Sequence, residues 1–95
     1  NFDMTNSIRK IIAEYKLYVD NVHFEIRGRI LKELEPNTDF PYSWEISHYC
    51  KPGKNAATTY RPSRTLGKTE KEVTDLLFLY FSTFSDIEIE INEAY

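Results

Sequence analysis

The chain has 95 residues, 41% hydrophobic and 15% aromatic, which is enough for one core and too little for two, so residues 1–95 read as a single domain. No apolar run approaches the roughly twenty residues of a membrane-crossing helix, and no basic leader precedes an apolar segment, so neither a membrane span nor an intact signal peptide is expected. The formal net charge of −3 is modest, and the single cysteine excludes an internal disulfide and points to the reducing cytoplasm.

Met4 reads as a natural start, with residues 1–3 a cloning remnant. Thr5 or Ser7 can cap a first helix, along which Ile8, Ile11, Tyr15, Val19, Val22, Ile26, Ile30 and Leu34 recur at steps of three or four, with Ile12, Tyr18 and Leu31 on the flanks. The spacing predicts a helix of up to about 28 residues, on the order of 40 Å long. Gly28 weakens its last turns, since glycine costs roughly 1 kcal/mol against alanine inside a helix. Pro36 ends it, and the two prolines of Glu35–Pro41 mark a loop.

Tyr42, Trp44, Ile46, His48 and Cys50 then alternate with Ser43, Glu45, Ser47 and Tyr49, the period of a strand with an aromatic inner face. Lys51-Pro52-Gly53-Lys54 suits a type II turn, with proline fixing φ at the second position and glycine supplying a positive φ at the third. Ala57 to Tyr60 is expected to return as the partner strand, and Pro62 to lead the chain away from it. Thr69 and Glu72 form a capping box that starts a helix near Glu70, and Val73, Leu76, Leu77, Tyr80, Phe81 and Phe84 make its core-facing stripe. Phe78 and Leu79 point elsewhere. Ile87, Ile89 and Ile91 alternate with Glu88 and Glu90 in a last strand. The order is α-β-β-α-β, an α+β domain whose small antiparallel sheet packs against two helices. Its core is expected to join Trp44, Ile46, Leu76, Leu77, Tyr80 and Phe81 to the stripe from Ile11 to Ile26.

Catalytic chemistry has little to stand on. His48 and Cys50 lie two apart on one side of a predicted strand, while His23 is distant. A zinc site needs four ligands, and a Cys-His pair needs an exposed thiolate and an orienting third group. A buried Cys50 beside a hydrogen-bonded His48 is the simpler reading. The three glycines are too scattered for a phosphate cradle. No catalytic, cofactor or metal residues are assigned, and the chain reads as non-enzymatic.

Charge is distributed unevenly. Between Ile46 and Thr69 stand Lys51, Lys54, Arg61, Arg64 and Lys68 with no acid, and from Glu72 onward Glu72, Asp75, Asp86, Glu88, Glu90 and Glu93 stand with no base. Two solvated faces would explain this; a face for a charged partner would as well. Lys51, Lys54, Arg61 and Arg64 interleaved with Tyr49 and Tyr60 supply the cations and stacking rings that nucleic acid needs. The acidic last third would repel a phosphate backbone, so nucleic-acid binding is the alternative rather than the first reading.

The runs H-Y-C-K-P at 48–52, Y-R-P-S at 60–63 and T-E-K-E at 69–72 followed by L-L-F-L-Y-F-S-T-F resemble small immunity-type proteins encoded beside bacterial polymorphic toxins, over about the last half of the chain. The resemblance implies a cytoplasmic protein that neutralises a toxin domain by binding it, with no catalysis or cofactor of its own. Seven tyrosines and one tryptophan suit such an interface. The expected contact is Asp86, Glu88, Glu90 and Glu93 with Phe78 and Tyr95, on a final strand at a sheet edge.

Overall fold

The computed structural model describes residues 7–34 and 39–95. Thr5, Met4, residues 1–3, Pro36 and most of the Glu35–Pro41 loop therefore lie outside the described residues. The elements are β1 (Arg9–Leu17), β2 (Ile26–Glu33), β3 (Tyr42–Ile46), β4 (His48–Tyr49), β5 (Leu66–Gly67), α1 (Glu70–Ser82) and β6 (Glu90–Ile91). A four-stranded antiparallel sheet of order β1-β2-β3-β5 packs against α1, and β4 and β6 form a separate two-stranded ribbon.

The first helix of the sequence reading is corrected to the β1–β2 hairpin, so among the described residues the sheet is backed by one helix, not two. A step of four residues is even, so Tyr15 to Val19 and Ile26 to Ile30 keep one face of a strand as well as one stripe of a helix. The odd steps are absorbed elsewhere. The β1–β2 register shifts between Ile11 and Ala13, a bulge that leaves Ile11 on the outer face and turns Ile12 and Ala13 toward the core. The connection then reverses at Asp20-Asn21, where Asn21 takes the left-handed φ of 68° that asparagine tolerates. Inside the hairpin Ala13, Tyr15 and Leu17 pack on the core while Glu14 and Lys16 face out.

Two further expectations are displaced. Gly53 has no positive φ, and the tight turn sits two residues later, where the Ala56 N–H donates to Gly53 O at 3.2 Å. The segment Ala57 to Tyr60 forms no strand; its return amounts to the Tyr60 N–H donating to Cys50 O at 3.0 Å, and β3 finds its partner in β5 instead. The helix keeps its predicted start: Thr69 accepts from the Glu72 N–H at 3.2 Å, while the Glu72 carboxylate reaches back to the Lys68 N–H at 3.3 Å, one residue beyond the expected cap.

The core unites Ile26 and Ile30 of β2 with Trp44 and Ile46 of β3 and with Val73, Leu77 and Tyr80 of α1; Ile12, Tyr15, Leu76 and Phe81 pack against it. Its two polar tips are satisfied: Trp44 Nε1 donates to Arg64 O at 3.0 Å and the Tyr80 hydroxyl to Tyr60 O at 2.7 Å. Burial pushes the Tyr80 hydroxyl up to about 12. The loop from 60 to 64 is thereby tied to the core, which fixes where its arginines stand.

Candidate functional site

Beyond α1 the chain folds back as a tail across the β3–β4 bend. The Lys51 N–H donates to Ile87 O at 3.2 Å, and the Asn92 N–H and Nδ2 donate to Ser47 O and Ile46 O, both at 2.8 Å. Only Glu90–Ile91 of the expected last strand pairs, because Glu88 takes a left-handed φ of 43° that breaks the extended run. The tail ends on the outer face of the sheet. There the Arg29 guanidinium lies 4.1 Å from the Tyr95 ring centre, and the Tyr95 hydroxyl donates to Glu14 at 3.0 Å. Burial, then the Glu14 carboxylate, pushes that hydroxyl up to about 12.

This path lays the acidic segment on the basic one. Lys51 pairs with Glu88 at 2.6 Å, Arg61 with Glu90, and Arg64 with Glu72 at 3.3 Å. Glu90 also accepts from the Thr59 hydroxyl at 2.8 Å, and that bond, with Arg61, holds its carboxyl below the usual range. Of the cations suited to nucleic acid, Lys54 alone stands without a carboxylate among the described residues; Tyr49 lies under Arg61 and Tyr60 packs on Tyr80. Of the residues expected to meet a protein, Asp86, Glu88, Glu90, Glu93 and Tyr95 share the tail. Phe78 is elsewhere: it packs edge-on against Tyr15, 4.9 Å between ring centres, on the helix side of the sheet.

One face of the β4–β6 ribbon borders a cleft of about 780 Å³. His48 and Ile91 are register partners across the ribbon, and Phe24 stacks on the His48 ring at 5.0 Å. Ile89, Asn92, Glu93 and Tyr95 complete the tail side, with Glu25 and Arg27 opposite. Ile91 is 66% exposed and Phe24 48%. Glu25 and Arg27 are already engaged. Arg27 reaches Glu25 at 2.7 Å and Lys16 reaches it at 3.5 Å; the bond from Arg27 holds the Glu25 carboxyl low and the guanidinium high.

Ser47 and His48 have the residue types of a nucleophile and its base, but their geometry serves the bend. Ser47 Oγ is buried, accepts the Arg27 N–H at 2.7 Å, and lies 2.7 Å from His48 Nδ1. The hydroxyl still has a proton to give and a second lone pair to receive with, so the contact is made whichever ring nitrogen carries the proton. Burial lowers the His48 pKa, which favours the neutral ring. Cys50 is buried, its Sγ 3.7 Å from Thr83 O, and burial pushes the thiol up, away from the reactive thiolate. Among the described residues no group of three His, Cys, Asp or Glu side chains could hold a metal ion, and no helix is long and apolar enough to cross a membrane.

Compared with protein-family models, curated proteins and solved structures, the chain matches none significantly. The sequence reading found the tail but missed the cleft. Ile91 was visible in the Ile87–Ile91 alternation; Phe24 was not, because it lay in a stretch read as helix and meets His48 only through the tertiary fold.

Proposed function

We propose that the chain is a non-catalytic protein-binding module, an immunity-type inhibitor that neutralises a toxin domain by occupying it. The observation that carries this reading is the cleft beside the tail: an apolar hollow edged by exposed Phe24 and Ile91, in which Glu25 and Arg27 bind each other and His48 meets Ser47. Large apolar side chains held in the open by a rigid frame are the usual anchors of protein interfaces. The likeness of segments 48–52, 60–63 and 69–72 to immunity-type proteins supports the narrower form of the proposal.

The contact proposed here differs from the one the sequence suggested. Glu88 and Glu90 face Lys51 and Arg61 within the molecule, so their charge acts first on this chain and only weakly beyond it. The same pairs occupy Lys51 and Arg61, two of the cations that nucleic acid would need. Capture from the source cell lysate on the immobilised chain, with and without nuclease treatment, tests the function. A captured protein that survives nuclease and is lost with Ile91→Asp supports the proposal; capture of nucleic acid alone overturns it.

A further inference from the structure

The β1–β2 connection, residues 18–25, borders the cleft on one side and a second groove on the other, lined by Leu17 to Asn21, Phe84 and Asp86. Asn21 Nδ2 lies 3.5 Å from the Asp86 carboxylate, so the connection and the start of the tail form one end of the molecule. Four carboxylates stand there, Asp20, Glu25, Asp86 and Glu93, against two cations, Lys16 and Arg27. Both cations face Glu25. Asp20 and Asp86, in the groove with the exposed Tyr18 ring, and Glu93, in the cleft with exposed Phe24 and Ile91, are left without a cationic partner among the described residues.

Resting on the protein-binding reading, we infer that this end is the contact surface and that its occupant is a basic segment of another protein, carrying a large apolar side chain into the cleft between Phe24, His48 and Ile91 while its cations meet Asp20, Asp86 and Glu93. An apolar anchor in the cleft supplies desolvation, and the uncompensated carboxylates of Glu93 beside it and of Asp20 and Asp86 in the second groove select a cationic frame and speed its approach. The other apolar stretches carry no such selection. Leu79 and Tyr60 edge a groove between α1 and the 60–64 loop, but the charges at its rim, Arg64 and Glu72, bind each other. Glu88 and Glu90 stay outside the contact.

The test uses the full ¹⁵N-labelled chain and three capped hexapeptides, Lys-Leu-Lys-Phe-Lys-Leu and its analogues with glutamate or serine at the lysine positions. The lysine peptide should shift the amide signals of Asp20–Glu25, His48 and Ile91–Glu93 at millimolar concentration, less so as salt rises. The serine peptide should bind more weakly and the glutamate peptide not at all. Asp20→Lys combined with Asp86→Lys and Glu93→Lys should weaken the lysine peptide by about tenfold or more, as should Phe24→Ala; an unchanged melting curve for the triple variant keeps the comparison fair. Shifts centred on Leu79 and Tyr60, equal binding of the three peptides, or no shift at millimolar lysine peptide would overturn the assignment. Lysate capture separates the two ideas. A protein held equally by wild type and triple variant refutes this surface and leaves the binding function standing, whereas a wild-type chain that captures nothing removes the function itself.

Discussion

Gly28 of β2 lies directly beneath Leu77 of α1: a Cβ built on the glycine would come within 2.6 Å of Leu77 Cδ1 and 2.8 Å of Phe81 Cζ. Leu77 is fully buried, so its methyl groups have nowhere to withdraw. The helix can cross the hairpin at this distance only because position 28 has no side chain.

Gly28→Ala should therefore destabilise the protein by about 1–3 kcal/mol through overpacking. Had the segment been a helix, the same change would have stabilised it by about 1 kcal/mol. The two readings differ in sign, and a denaturant titration of wild type and variant decides between them.

Leu77→Ala opens a cavity at the same crossing, among Ile26, Ile30 and Val73. The expected loss is about 2–5 kcal/mol, a large share of the 5–15 kcal/mol typical of a whole domain. A loss below about 0.5 kcal/mol in denaturant unfolding, the level of an ordinary surface change, would mean that the helix does not seat on β2 as described.

Acidification should weaken the fold in two stages, through groups held in their neutral-pH forms. The His48 pKa lies below its ordinary value of 6.5 because burial disfavours the cation. Its contribution is complete above that value and is lost as pH falls through it toward the depressed folded value, because the unfolded chain takes up the proton first. Glu25, through Arg27, and Glu90, through Thr59 and Arg61, lie below the ordinary 4.5, so their contributions persist at pH 5 and disappear only in stronger acid. Unfolding free energies measured from pH 7.5 down to 3 should show both declines, and His48→Gln should flatten the upper one alone. A stability that rises between pH 6.5 and 5 would contradict the neutral, buried ring.

Local chemistry was legible in the residues themselves. Thr69 and Glu72 set the start of α1, and Tyr42-Ser43-Trp44-Glu45-Ile46 set β3, because a cap acts over three residues and an alternation declares its inner face within five. The single buried Cys50 was equally plain. The first third was not, because apolar steps of four satisfy a helix stripe and a strand face alike, and the bulge at Ile12 hides the odd step that would tell them apart. What resolved it was Gly28 under Leu77, a contact between residues far apart in the chain. The candidate site was decided in the same way. The acidic tail and basic loop appeared as two separate faces in sequence, yet Glu88 meets Lys51 and Glu90 meets Arg61. The cleft exists only where Phe24 of the hairpin connection is brought onto His48 and Ile91 of the ribbon. Propensity and capping are properties of neighbours along the chain, whereas pairing, close approach and exposure are set by which distant segments come together, and that only the tertiary structure determined.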